Sequence, residues 1–176
     1  MKLPIEKIKT LENNSTLYCV DILVYRLNPD KKVEILSVLR SEQPAKGQWY
    51  PIGGRILKNE NEMIAAKRKV KEELGINIEI KNKIGVYREI FDSGHFDGGE
   101  NLDSLSIAFL AVLGNIENEI KIDNTIKDYC WFNPSDKKLS PYLKQLIFDS
   151  KISHDLTAPT QDEFIISGIS KFDKLN

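Results

Sequence analysis

The alternation of apolar and polar positions predicts a pair of strands near the N-terminus. The segment from Ser15 to Tyr25 is rich in β-branched and aromatic residues, and Val33 to Leu39 has the same character. Asn28-Pro29-Asp30 between them is typical of a turn. Residues Leu3 to Leu11 have helical spacing instead. We therefore expect a hairpin preceded by an N-terminal arm or helix over residues 1–14.

The spacing becomes helical between Glu60 and Leu74. Apolar residues recur there at intervals of three and four, which predicts one apolar stripe formed by Met63, Ala66, Val70 and Leu74. Asn59 is a suitable N-cap, and Glu62 stands at capping-box spacing from it. Gly75 is suited to end the helix.

Later segments predict more strands and a second helix. The expected strands are Asn77–Phe91 (broken or bent), Ser104–Leu113 and Asp128–Trp131, and the expected helix is Ser140–Ser150. This order predicts an α/β fold with a mixed sheet packed between helices. We expect one domain over residues 15–151, followed by a tail over 152–176 that the pattern does not assign.

Composition excludes several classes of function. A chain of 176 residues with 41% apolar and 29% charged residues is typical of a soluble globular protein. The net charge of -1 provides no general basic field for nucleic acid, so an anionic ligand must meet a local group of cations. The longest apolar run, Ile107 to Leu113, is too short to span a membrane. Cys19 and Cys130 are expected to be reduced, in a cytoplasmic protein.

The segment from Gly53 to Ile76 joins a glycine turn to a helix that carries two adjacent glutamates near its C-terminal end. Gly54 lets the backbone approach a ligand or ion closely and exposes its carbonyl oxygen. Glu72 and Glu73 provide the hard oxygen ligands that Mg²⁺ prefers, and Arg68 lies one helical turn before Glu72. Two adjacent glutamates on a helix usually belong to a solvated surface. A functional interpretation therefore depends on the spacing of the glycine, arginine and glutamate positions taken together.

That spacing resembles the signature of the Nudix hydrolase family, G-x5-E-x7-R-E-U-x-E-E-x-G-U, where U is aliphatic. The matching positions are Gly54, Glu60, Arg68, Val70, Glu72, Glu73, Gly75 and Ile76. The resemblance covers about residues 15–150 and implies a Nudix-type α/β/α sandwich. It also implies hydrolysis of a nucleoside-diphosphate compound with Mg²⁺ as the cofactor.

The segment from Arg40 to Trp49, followed by Gly53-Gly54-Arg55, looks like the GDP-mannose mannosyl hydrolase branch. That resemblance implies a homodimer that hydrolyses a nucleotide sugar to nucleoside diphosphate and sugar, with water attacking the anomeric carbon. The residues implied are Arg40 and Arg55 for the diphosphate, Asp21 near the sugar, and Gly54, Glu72 and Glu73 for the metal. Among them Arg55, Glu72 and Glu73 are also implied to be catalytic, with Glu60 and Arg68 structural.

Lys69 departs from the family signature, which has a glutamate there. Because that carboxylate helps to hold metal in typical members, its replacement argues against a site with two or three ions. Two interpretations remain. The lysine either replaces one ion as a fixed positive charge beside the diphosphate, or it is solvated on the helix surface.

A second departure concerns the general base. The branch has a histidine, preceded by a glutamine that binds metal, in the loop before a D-Y-x-W strand. Asp128-Tyr129-Cys130-Trp131 preserves the strand, but Asn124 to Lys127 contains neither residue. His95 is the candidate base, in a glycine-rich loop whose Asp97 and Glu100 could equally be surface charges. His154, in the tail, is given no role.

Two other functions stay open. A Nudix enzyme could instead cleave a phosphate bond of a nucleotide or dinucleotide. A decayed Nudix fold could also bind nucleotides without catalysis, which Lys69 and the missing loop histidine would suggest. The retained Glu60, Arg68, Glu72 and Glu73 favour an enzyme. The expected partner is a small nucleotide sugar, not nucleic acid or membrane.

Overall fold

The structure, a computed structural model, describes residues 4–95, 101–114, 119–153 and 156–175. The helices and strands of these segments, in chain order, are α1 (Ile5–Asn14), β1 (Leu17–Leu27), β2 (Val33–Arg40), β3 (Trp49–Tyr50), β4 (Ile52–Arg55), α2 (Glu62–Leu74), β5 (Ile78–Phe91), β6 (Leu102–Leu113), β7 (Ile126–Phe132), α3 (Pro141–Ser150), α4 (Gln161–Ile166) and β8 (Ile169–Leu175). Within the described segments, no helix is long and apolar enough to cross a membrane.

The strands form one mixed sheet. Its main path runs β3-β2-β1-β6-β5-β8, while β4 pairs with β1 and β7 pairs with β2. β1 and β6 are parallel, with Leu17 opposite Ser104 and Tyr25 opposite Val112. The predicted hairpin of β1 and β2 is confirmed, with Val24 opposite Leu36.

Helices cover both faces of this sheet. Because side chains alternate along a strand, β1 contributes to two separate cores. One core packs against α2 and includes Val20, Ile22, Val24, Ala66, Val70 and Leu74. The other packs against α3 and α4 and includes Leu17, Cys19, Leu23, Leu143, Leu146 and Phe164. The predicted α/β/α sandwich with a mixed sheet is therefore confirmed.

The predicted N-cap of α2 is wrong by two residues. Asn59 has φ 65°, a left-handed turn conformation rather than the extended one that a cap requires. Asn61 caps the helix instead, because its side-chain oxygen accepts a hydrogen bond from the Met63 N–H at 2.9 Å. Glu62 consequently begins the helix and completes no capping box with Asn59. Met63, predicted on the apolar stripe, is exposed in the first turn.

The tail that the sequence pattern left unassigned is an ordered part of the fold. α4 begins with a capping box formed by Thr160 and Glu163. β8 then adds to the sheet by antiparallel pairing with β5, with Glu89 opposite Phe172. The predicted bending of β5 is also found, as register shifts against β6 between Ile80 and Asn82 and between Lys83 and Gly85.

Candidate active site

Glu60 and Arg68 join the glycine turn to α2. Arg68 donates from Nε to Glu60 Oε1 at 2.6 Å and from Nη2 to Glu60 Oε2 at 2.8 Å. The same Nη2 donates to the Arg55 carbonyl oxygen at 3.1 Å, and the Leu57 N–H donates to Glu60 at 2.9 Å. The planar guanidinium is suited to such forked contacts. This network holds the end of β4 against α2 and so sets the position of Gly54.

Lys69 lies directly beside Gly54 and Glu73. Its Nζ is 2.5 Å from Glu73 Oε1, and the two side chains are only 19% and 10% exposed. A Cβ atom on residue 54 would lie 2.7 Å from Lys69 Cε and 3.2 Å from Nζ, and Gly54 has φ 148°. Only glycine therefore fits. The interpretation of Lys69 as a solvated surface residue does not match its position.

The residues predicted to bind metal fit a divalent ion poorly in this arrangement. Glu73 is engaged by Lys69, and burial raises the pKa of Glu73 while the lysine charge opposes that rise. Glu72 is half-exposed and accepts a hydrogen bond from Arg68 Nη1 at 3.0 Å. Among the described residues, no three Asp, Glu, His or Cys side chains are grouped so that they could hold a metal ion.

Asp21 is buried in the sheet rather than facing water. Its Oδ2 accepts a hydrogen bond from Tyr142 Oη at 2.8 Å, and the Ser106 hydroxyl also hydrogen-bonds to the carboxylate. Burial raises the pKa of Asp21, and these two hydrogen bonds oppose the rise. The carboxylate packs so closely on Gly53 that a Cβ there would collide with Asp21 Oδ1.

Glu89 forms a second buried carboxyl group close to Asp21. Only 2% of Glu89 is exposed, and it accepts a hydrogen bond from Tyr50 Oη at 2.5 Å. Burial raises the pKa of Glu89 well above its usual value, and the charge of Asp21 raises it further. The Tyr50 and Tyr142 rings pack with centroids 5.5 Å apart. Two carboxyl groups and two phenols thus form one buried polar cluster.

The predicted substrate-binding arginine on β2 lies beside this cluster. Burial raises the pKa of Asp21, Glu73 and Glu89, and the nearby charge of Arg40 opposes the rise at all three carboxyl groups. Its Nε donates to the Pro44 carbonyl oxygen at 2.7 Å. Arg40 therefore links the buried cluster to the Lys69–Glu73 pair.

Arg55 provides a third positive charge in the same region. It lies opposite Cys19 in the pairing of β1 with β4. Its Nη1 is buried and makes no hydrogen bond within the described residues. Burial raises the pKa of Cys19 to about 12, an increase that Arg55 and Lys69 oppose. A buried arginine nitrogen without a partner is costly, and a guanidinium is a suitable donor to an anionic group.

His95 is held against the N-terminal helix. Its Nδ1 is 2.7 Å from Glu12 Oε1. Burial lowers the pKa of His95 from 6.5, the charges of Arg40 and Arg55 lower it further, and Glu12 opposes them. The structure thus places the candidate base near both arginines. Asp97, Glu100 and His154 lie outside the described residues.

A polar cavity of about 250 Å³ opens beside this region, between the loop before β3 and the C-terminal α4–β8 segment. Its lining includes Gln43, Lys46, Gln48, Asp92 and Ser167. None of the predicted site residues lines it. The side chain of Gln48 donates to the Ser167 carbonyl oxygen at 2.6 Å, which fastens the C-terminal segment to the loop.

Glu89, Tyr50 and Tyr142 were not predicted from the sequence as site residues. The alternation of side chains along β5 predicts that Glu89 is buried, because it lies between two aromatic residues on the same strand face. Tyr87, Glu89 and Phe91 are all buried in the structure. No comparable signal marks Tyr142. It reaches Asp21 from α3, 121 residues away along the chain.

The motif and fold agree with comparisons to known proteins. The low-salt glycan biosynthesis protein Agl8 of Haloferax volcanii is 25% identical over 146 residues, which cover 83% of this chain and 89% of the relative. The Ap4A hydrolase of C. elegans in a binary complex shares the fold with 20% identity and a TM-score of 0.61, covering 77% of this chain and 96% of that one. The NUDIX domain of Shewanella oneidensis NrtR complexed with ADP ribose is also 20% identical, with a TM-score of 0.58 and coverages of 85% and 97%.

A family model for the NUDIX domain matches residues 17–153. The matched residues include the glycine turn, α2 and both arginine-bearing strands described above. The resemblance inferred from the motif is thereby confirmed at the level of the family. This chain belongs to the NUDIX domain family.

Proposed function

We propose that this protein hydrolyses a nucleoside-diphosphate sugar of the GDP-mannose type, releasing nucleoside diphosphate and free sugar. The observation on which the proposal depends is the side-by-side arrangement of two chemically different groups. Arg40, Arg55 and Lys69 form a cationic group suited to a diphosphate. The buried carboxyl groups of Asp21 and Glu89 adjoin it and are suited to the hydroxyls of a sugar.

In the proposed reaction, water attacks the anomeric carbon of the sugar. The new carbon–oxygen bond forms as the bond between that carbon and the diphosphate oxygen breaks, and the water proton passes to His95. Arg40 and Arg55 stabilise the negative charge that develops on the leaving diphosphate. Glu12 orients the His95 ring through Nδ1, which directs Nε2 away from Glu12.

The proposed reaction is stated independently of the Mg²⁺ ion that the family resemblance implies. The ligands of this ion would be the Gly54 carbonyl oxygen, Glu72 and Glu73, and the Lys69 side chain lies beside Gly54 with its ammonium paired to Glu73. The glycan-biosynthesis relative supports a nucleotide-sugar substrate, because sugar nucleotides are glycosyl donors in that kind of chemistry. We further propose that the protein is cytoplasmic and forms a homodimer.

Product analysis tests the reaction. Purified protein is incubated with a panel of nucleoside-diphosphate sugars in heavy-oxygen water, with and without Mg²⁺, and the products are identified by mass spectrometry. We expect nucleoside diphosphate and sugar, with the heavy oxygen in the sugar. Nucleoside monophosphate and sugar phosphate would show cleavage of the phosphate bond instead. Ligand binding without any product would support a binding module.

A further inference from the structure

The strongest feature that the fold and the family do not explain is the position of Lys69. It lies on α2 one helical turn before Glu73, and the side chains of both residues are largely buried. A lysine of this kind normally extends into solvent, since burying its charge is costly unless a partner compensates. Here the partner is the carboxylate predicted to bind metal.

Gly54 completes the enclosure of the lysine. The aliphatic part of Lys69 passes so close to the glycine turn that a Cβ on residue 54 would be 2.7 Å from Cε. Its ammonium therefore pairs with the carboxylate of Glu73 while the end of its side chain lies beside Gly54. These are two of the three groups that the family resemblance implies as ligands of the divalent ion.

An ammonium and a divalent ion cannot share this position. Their charges repel, and the ammonium already engages Oε1 of the Glu73 carboxylate. Glu72 does not replace Glu73 as a free metal ligand, because it is half-exposed and is itself paired with Arg68. The residues present thus fit a lysine better than they fit Mg²⁺.

The ammonium can nevertheless perform one task of the ion. It has three donors, and Glu73 uses one of them, which leaves hydrogen atoms for phosphate oxygens. The charges of Arg40 and Lys69 both act on Glu73, so the arginine and the lysine lie at the same end of the site. A diphosphate bound there would contact both of these positive charges.

We infer that the Lys69 ammonium, paired with Glu73 beside Gly54, replaces the divalent cation in binding the diphosphate, so that turnover requires no divalent ion. This inference rests on the proposed function for its catalytic part. Its structural part, that Lys69 excludes the ion, holds independently of the substrate. The two parts need separate measurements.

The structural part is tested by titrating metal-free protein with Mn²⁺ and measuring the bound ion by electron paramagnetic resonance. The variants are Lys69→Glu, which restores the signature carboxylate, and Lys67→Glu, an exposed position on the same helix with the same charge change. We expect Lys69→Glu to bind Mn²⁺ at least about 10-fold more tightly than wild type and Lys67→Glu. Equally tight binding by wild type would overturn the inference.

The catalytic part is tested by hydrolysis of the nucleotide sugar in EDTA and in Mg²⁺. Wild type is expected to hydrolyse the substrate at the same rate in both. Lys69→Gln places a neutral side chain beside Glu73, and its rate should be about 100-fold lower than that of wild type in both conditions. Lys69→Glu should regain activity only with Mg²⁺.

A wild-type rate that disappears in EDTA and returns with Mg²⁺ overturns the inference and leaves the proposed function intact. If no nucleotide sugar is hydrolysed but only Lys69→Glu binds Mn²⁺, the proposed function fails and the exclusion of metal by Lys69 is supported.

Discussion

At the scale of single residues, the site is defined by charges that neighbouring groups hold in place. Lys69 is fixed by Glu73, Arg68 by Glu60, and His95 by Glu12. Each pair joins a loop to a helix or two consecutive turns of α2, so the geometry of the site depends on the folded chain. Burial then lowers the pKa of His95 and raises the pKa of Asp21 and Glu89.

His95 provides a prediction about the pH dependence of activity. Because burial and the two arginines lower its pKa below 6.5, His95 is expected to be neutral near pH 7 and able to accept a proton. The rate should fall as the pH drops through this pKa, since the protonated ring cannot act as a base. His95→Ala should lower kcat by about 100-fold and remove the acid limb of the kcat/KM profile. An unchanged rate and profile would exclude His95 as the base.

Glu89 provides a prediction about stability. Its pKa in the folded protein is raised well above 4.5, so the folded state binds this proton more strongly than the unfolded state. The unfolding free energy should therefore decrease as the pH rises above 4.5 towards the folded pKa, by at most about 1.4 kcal/mol per pH unit.

Urea unfolding of wild type and Glu89→Gln at a series of pH values measures this contribution, because the amide does not titrate. We expect the unfolding free energy of Glu89→Gln to increase relative to that of wild type as the pH rises. Glu79→Gln, at an exposed position of the same strand, should change the profile little. A difference that is independent of pH would contradict the raised pKa.

At the scale of elements, β4 and α2 form the unit that positions the site. The short turn between them contains the Glu60–Arg68 network, and the cap at Asn61 determines where the helix begins. The network and the cap together fix α2 against β4, which keeps Lys69 beside Gly54.

Substitutions at the two asparagines test which of them caps α2. Asn61→Ala should cost about 1 kcal/mol of unfolding free energy, since the Met63 N–H loses its acceptor. Asn59→Gly should leave stability unchanged or raise it, because glycine adopts the left-handed conformation of that position more readily. Urea unfolding measures both. The reverse order of effects would restore Asn59 as the cap.

At the scale of the whole molecule, the C-terminal segment completes the second core. Phe172 on β8 stacks on Phe164 of α4 with ring centroids 4.0 Å apart and packs on Tyr87 and Tyr142 at 5.9 Å. Tyr142 in turn holds Asp21. The segment lies beyond the residues that the family model matches, yet it supports the buried carboxyl cluster.

Phe172→Ala is expected to lower the unfolding free energy by up to about 3 kcal/mol, the lower end of the range for a buried phenylalanine, because the ring is half-buried. Ile166→Ala in the same segment is the control, since that side chain is exposed and should change stability little. Thermal and urea unfolding measure both variants. Equal stability of Phe172→Ala and wild type would mean that the segment does not stabilise the core.

The sequence by itself determined the family, the mixed sheet between helices, and the motif from Gly54 to Ile76. Periodicity and strict spacing are local properties of a chain, which is why they can be read without coordinates. The sequence pattern does not assign the tail, because a helix of six residues is too short to show a clear periodicity. The capping-box residues Thr160 and Glu163 are the sequence feature that indicates this helix.

Only the tertiary structure decided what the motif residues contact. Lys69 could have been solvated or enclosed, and the approach of Gly54 across the turn settled that choice. Asp21 and Glu89 became one cluster because β1, β5 and α3 converge on it, and no local pattern records a contact over such separations in sequence. Burial and electrostatic coupling depend on distances through space, so they exist only once the chain has folded.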